Sequence, residues 1–176
     1  MRTRRDIVAA AIECWAADNS ASLGEVAVTA GVGRTTLNRY FSDRAQLIAA
    51  VDAECRARFA AAVGRARPAE GSGLTALLRV CGEIVHLGPV LGLIFADNAL
   101  VDPDTWETDE AADQLSTLAA RGQADGSIAA DLPLEWVATV VWTSLFAGWL
   151  MIKSQALTRP EVSQLLARTL ASGVAG

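Results

Sequence analysis

The stretch SLGEVAVTAGVGRTTLNRYFSDR, residues 22–44, constrains this chain most, because it specifies two short helices and the tight corner between them. Ser22 is placed to cap a helix, and Glu25 three residues on can reach back to the backbone N–H of Ser22, which together make a capping box. Leu23, Val26, Ala27 and Ala30 then follow at helical spacing on one face, and Gly31 supplies the residue that enters the left-handed region and stops the helix. Val32 plugs the corner. A second helix over about residues 34–41 keeps Leu37 and Phe41 one turn apart for a core. The spacing predicts a helix-turn-helix.

At about 100° per residue, Thr35 and Arg39 point away from Leu37, with Thr36 and Asn38 on the flanks and Arg34 near the amino end. These side chains suit a DNA major groove: Arg pairs with the acceptor edge of guanine, Asn with adenine, and a Thr methyl touches the thymine methyl. Tyr40 and Arg44 lie past that face, where a phenol and a guanidinium meet phosphates sooner than bases. The hairpin pattern alone fits a solvated helix pair equally well, so the context has to decide.

Charge is the first piece of context. The formal net charge is −5, which is wrong for a polyanion binder until it is divided by position. Residues 1–67 hold ten Arg and seven acids, net +3, whereas residues 68–176 hold five bases and thirteen acids, net −8. A basic amino-terminal module on an acidic body keeps a DNA footprint on one side and repels phosphate elsewhere. The 52% apolar composition and 176 residues are enough for a buried core and argue against disorder.

Ahead of the helix pair, residues 4–17 form a first helix with Val8, Ala11, Ile12 and Trp15 in phase. Arg2, Arg4 and Arg5 open it, either as an arm reaching phosphate or minor groove or as a loose end. After the pair, Ser42 and Asp43 offer cap chemistry for a long connector over about 43–66, striped by Leu47, Val51, Cys55 and Phe59. Arg56, Arg58, Arg65 and Arg67 read as its solvated face, not as DNA contacts.

PAEGSG, residues 68–73, is a turn-rich break and a candidate boundary. With the connector counted in the second domain, the expected division is 1–46 and 47–176. Beyond the break, Leu74, Leu77, Leu78, Cys81, Ile84 and Val85 mark an amphipathic helix ending at Gly88-Pro89. PVLGLIFADNAL reads as a short buried helix with Pro89 in its first turn, and an acid-led helix opens at Asp102 and closes near Gly122. Asp125-Gly126 is a turn without the alternating flanks of a strand hairpin.

The 17 residues from Trp136 to Ile152 carry no charge. A membrane span takes about 20 apolar residues, and this segment contains Thr139, Thr143, Ser144 and Gly148, so a helix covered on two sides is expected instead. Thr158 and Glu161 repeat the capping-box pattern before a last helix striped by Val162, Leu165, Leu166 and Leu170. Two such helices from each of two copies make a four-helix interface, with Phe146, Trp149, Leu165, Leu166 and Leu170 as its candidate residues.

Residues 7–59 resemble the DNA-binding region of the tetracycline-repressor (TetR) family of bacterial transcriptional regulators. The match runs through IVAAAIECWA, the Ser22-led helix and VAVTAGVGRTTLNRYFSDRAQLIAAV, with Leu37, Phe41, Arg44 and Leu47 at the family's offsets. Two positions depart from it: the family commonly has Tyr where Asn38 stands and Lys where Arg44 stands. The resemblance implies an all-α chain in which a three-helix DNA-binding domain is joined by a long helix to a ligand-binding and dimerisation domain. It also implies a homodimer, formed by the last two long helices, that is released from its operator by a small molecule.

A dimer would set two recognition helices about 34 Å apart on a palindrome of double-stranded DNA. The candidate DNA contacts are Arg4, Arg5, Ser22, Arg34, Thr35, Thr36, Asn38, Arg39, Tyr40 and Arg44. Candidate effector contacts, combining apolar walls with polar anchors, are His86, Phe95, Asp97, Asn98, Trp106 and Trp142. The alternatives are a regulator answering to a protein partner or to no ligand, and a helical enzyme. Catalysis is not expected: the single His86 has no nucleophile or carboxylate at a telling spacing, and no metal-ligand cluster or Gly-rich phosphate loop is present. No cofactor or metal is expected either. Cys14, Cys55 and Cys81 are odd in number, widely spaced and beside apolar stripes, which reads as reduced thiols. MRTRRDIVAA lacks the apolar core of a signal peptide, so a cytoplasmic protein is expected.

Overall fold

The computed structural model describes residues 2–95, 100, 101, 106 and 110–174, and side chains among these except those of residues 2 and 110–112. Among the described residues there are nine helices and no β-strand: α1 (Arg2–Ala17), α2 (Leu23–Thr29), α3 (Arg34–Tyr40), α4 (Arg44–Arg65), α5 (Gly73–Val85), α6 (Pro89–Phe95), α7 (Glu110–Ala124), α8 (Leu134–Lys153) and α9 (Arg159–Val174). The expected all-α class is what the chain adopts. The expected opening of an acid-led helix at Asp102 lies outside the described residues; the helix described in that stretch is α7. The residues sort into two compact units, one of 2–58 with 88–95, 100, 101 and 106, the other of 59–87 with 110–174.

The first unit is built around α1, which packs on α2 and on α6. Its core includes Ile7, Ile12, Trp15, Val26, Leu37, Phe41, Leu47 and Val51. The caps explain why the short helices hold. Ser22 Oγ accepts from the Glu25 N–H at 3.3 Å, and Glu25 Oε2 accepts from the Ser22 N–H at 2.7 Å, which completes the expected capping box. At the other end Gly31 has φ +66°, the Gly31 N–H donates to Val28 O and the Val32 N–H to Ala27 O. That pair of bonds is a Schellman stop, and it fixes the direction in which the chain enters α3. Asp43 Oδ1 accepts from the Gln46 N–H at 2.9 Å and so caps α4. The buried carboxylate of Asp52 accepts from Trp106 Nε1 at 2.9 Å and from Arg56 Nε at 3.1 Å.

The second unit is organised on α5, which touches α7, α8 and α9. The α5–α7 crossing is backbone to backbone: a Cβ on Gly73 would lie 2.1 Å from the amide nitrogen of Gly122. Arg79 donates to the carbonyls of Ala66, Arg67 and Glu70, and Arg121 to those of Pro68, Gly71 and Ser72, so two guanidinium groups tie down the turn-rich break. In front of α9, the Thr158 N–H and hydroxyl both donate to Glu161 Oε2, at 2.8 and 2.6 Å.

By length and composition α8 is apolar enough to cross a membrane, with a mean hydropathy of 1.3. In this fold its inner face, Val137, Val141, Leu145 and Gly148, is buried against neighbouring helices. Its Thr139 and Ser144 hydroxyls donate to carbonyls four residues back.

Candidate nucleic-acid interface

Helix α3 is divided cleanly between core and surface. Leu37 is 0% and Phe41 2% exposed, while Arg34, Thr35, Asn38 and Arg39 are exposed and Thr36 and Tyr40 half-buried. The polar outer face therefore stands on a buried apolar base. The Arg39 guanidinium lies 5.3 Å from the centroid of the Tyr40 ring, which restrains a long side chain beside the outer face. Arg34 lies along α2, with Nη2 3.5 Å from where a Cβ on Gly24 would stand.

The opening arginines are not a loose end. The helix is already formed at Arg2, and the Arg4 guanidinium sits 5.0 Å over the Phe41 ring, next to the end of α3. Arg5 is exposed. Ser22, a candidate contact, is occupied by its cap. Arg44 is turned inward: Nη1 donates to Ala21 O at 2.6 Å, Nη2 to Asn19 O at 2.8 Å, and the guanidinium lies 4.6 Å from the Trp15 ring centroid.

Three carboxylates of the first unit are engaged as hydrogen-bond acceptors. Glu25 and Asp43 serve as cap acceptors, and Asp18 accepts from the hydroxyl and N–H of Ser20, so hydrogen bonds hold all three carboxyls below the usual carboxylate range. The ion pairs found among the described residues join Arg56 to Asp52, Arg58 to Glu54, Arg65 to Glu83 and Arg67 to Glu70. None uses Arg34 or Arg39. The four arginines set aside as a solvated face are those that carry acidic partners.

The candidate effector residues fall in both units. Phe95 is half-buried at the end of α6 and Trp106 is buried on Asp52, both in the first unit. His86 is exposed at the end of α5 with Nδ1 2.8 Å from Gly82 O, and Trp142 stacks on Phe59 with ring centroids 6.1 Å apart, both in the second. Asp97 and Asn98 lie outside the described residues. Burial pushes the Cys55 and Cys81 thiols up to about 12, so both are protonated and inert at neutral pH. Among the described residues, no cluster of His, Cys, Asp and Glu could hold a metal.

The candidate dimer residues separate by burial. Phe146 is 37% and Leu165 38% exposed, and Trp149 is half-buried against Phe146 with ring centroids 5.6 Å apart. Leu166 and Leu170 are buried in their own chain, at 6% and 0% exposed. Trp136, Leu150 and Met151, which sequence periodicity did not single out, are exposed on the same helix as Phe146. A groove of about 180 Å³ between α8 and α9 is lined by Gly148, Met151, Val162, Leu165 and neighbours.

A capped two-helix unit with a donor-rich second helix, set in an all-helical chain, defines a DNA-binding regulator, and the comparisons agree. The family model described as "Bacterial regulatory proteins, tetR family" matches residues 7–51. The chain is 30% identical over 175 residues to the HTH-type transcriptional repressor LfrR of Mycolicibacterium smegmatis, covering 98% of this chain and 90% of that protein. The chain belongs to the TetR family of transcriptional regulators; it is not an enzyme. The crystal structure of the TetR-like regulator LfrR from Mycobacterium smegmatis in complex with proflavine superimposes with a TM-score of 0.75 at 28% identity, covering 99% of this chain and 97% of that one. A TetR family regulator from Marinobacter aquaeolei shares the fold, with a TM-score of 0.77 at 19% identity over 99% of both chains.

Proposed function

We propose that this chain is a cytoplasmic homodimeric repressor that reads a palindromic operator with α3 of each copy and leaves it when a small molecule binds. The observation that carries the reading is the division of α3: a buried Leu37 and Phe41 beneath an exposed Arg34, Thr35, Asn38 and Arg39. Residues 1–46 supply the DNA contacts, and residues 47–176 supply the effector site and the partner surface. Base edges fall to Arg34, Thr35, Asn38 and Arg39, and phosphates to Arg5, Tyr40 and neighbouring backbone. The exposed Phe146, Leu150, Met151 and Leu165 form the face covered by a second copy.

The effector half rests on likeness to LfrR, whose structure holds proflavine. Thermodynamically an effector has only to prefer the conformation that does not fit the operator. A preference of about 100-fold weakens operator binding by about 2.7 kcal/mol.

The test is a mobility shift on the DNA upstream of the chain's own gene, at rising salt. A discrete site, weakened by salt, with specificity relaxed in Arg39→Ala, supports the reading. A stable monomer in solution, or equal binding to every duplex, overturns it.

A further inference from the structure

We infer that Arg44, resting on the DNA-binding reading above, is a positioning residue that closes the base of the helix-turn-helix and not a phosphate contact. The helix-turn-helix occupies residues 22–41, and Arg44 joins the two ends of that span. From the first turn of α4 its Nη1 and Nη2 reach back to the carbonyls of Ala21 and Asn19, 23 and 25 residues earlier. The same Ala21 carbonyl accepts from Trp15 Nε1 at 3.0 Å, so both its lone pairs are used, one by α1 and one by α4. The guanidinium also covers the Trp15 indole.

Three elements thus converge on one peptide unit: the end of α1, the link into α2 and the start of α4. With its stems tied, the α2–α3 hairpin cannot tilt on α1 without breaking a charge-assisted hydrogen bond. The recognition face is held at one angle, and any shift of the first turn of α4 reaches the entry of α2 directly. Lys, common in the family at this position, carries its donors on one nitrogen and lacks the planar fork that spans two carbonyls while lying flat on a ring.

The test uses the full chain with Arg44→Lys, Arg44→Gln and Trp15→Phe, titrated by fluorescence anisotropy against the operator duplex and a scrambled duplex at several NaCl concentrations. As a clamp, Arg44 makes Arg44→Lys and Arg44→Gln lose operator affinity alike, by about tenfold, with scrambled-duplex affinity and the salt slope unchanged. Trp15→Phe keeps the ring but loses the indole N–H, and shows a smaller loss of the same pattern. The inference is overturned if Arg44→Lys binds as the wild type does while Arg44→Gln has a slope shallower by about one, the signature of a lost phosphate contact.

Hydrogen exchange without DNA separates this from a plain loss of stability. Amides of Glu25–Ala27 exchange faster by about tenfold in Arg44→Lys while those of Ile12–Trp15 do not change. Uniform acceleration, or none, overturns the clamp. If the wild type does not distinguish operator from scrambled duplex, the DNA-binding reading fails, and the exchange experiment still decides for or against the clamp.

Discussion

Two helix faces among the described residues are exposed to solvent, and they are opposite in kind. The outer face of α3 is polar, with arginines that have no acidic partner among the described ion pairs, over an apolar base. The outer face of α8 is apolar, with Trp136 59% exposed and Phe146, Leu150 and Met151 beside it, over a base that is apolar too. The same solution, a helix with one face buried, leaves two exposed faces of opposite chemistry. Exposed cationic donors suit an anion with acceptors, whereas exposed carbon suits more carbon.

The comparison can be broken from either side. The largest effect is expected from placing charge on the apolar face: if the proposed dimer forms there, Phe146→Asp with Leu165→Asp gives a monomer by sedimentation and lowers operator affinity by about 100-fold or more, one half-site being read instead of two. Both side chains are partly exposed in the single chain, so its helicity stays intact. Next comes the base of the polar face: Leu37→Ala removes a fully buried side chain and costs about 2–5 kcal/mol in urea unfolding, with the sedimentation coefficient unchanged.

Arg39→Ala should cost about 1–3 kcal/mol of operator binding and relax selectivity at one base pair, leaving unfolding and assembly as in the wild type. Ser22→Ala removes the cap of α2 and costs about 1 kcal/mol of stability. The smallest effect is on pH dependence. Hydrogen bonds from Ser22 lower the Glu25 carboxyl below 4.5, so its contribution is present above that unfolded value and fades as pH falls through the lower folded one. Glu25→Gln flattens that acid limb in a melting-temperature profile.

Sequence spacing was enough for every feature governed by neighbours a few residues apart. The Ser22–Glu25 box, the Gly31 stop, the buried Leu37 and Phe41, the Asp43 cap and the Thr158–Glu161 pairing all act within about one helical turn, and all are present. What spacing could not supply was the identity of a distant cover. Leu166 and Leu170 keep the same period as Leu165, yet only Leu165 is left exposed, because period fixes a direction and not what stands there. The inward turn of Arg44 depends on carbonyls 23 and 25 residues away, and the Trp106–Asp52 bond spans 54. A charge beside a recognition helix reads as a phosphate contact until the fold shows an acceptor already in place.

The first unit is also not contiguous in the chain. It is left after Arg58 and re-entered at Gly88, where α6 lays Val90, Leu91 and Leu93 into a buried layer and packs on α1. A gene fragment that stopped before residue 88 would encode the reading head without one wall of its own interior. Such a piece would expose greasy surface, clump and fail as a stand-alone reagent. An amino-terminal cassette of this chain has to carry residues 88–95 along with it to keep the layer that covers α1.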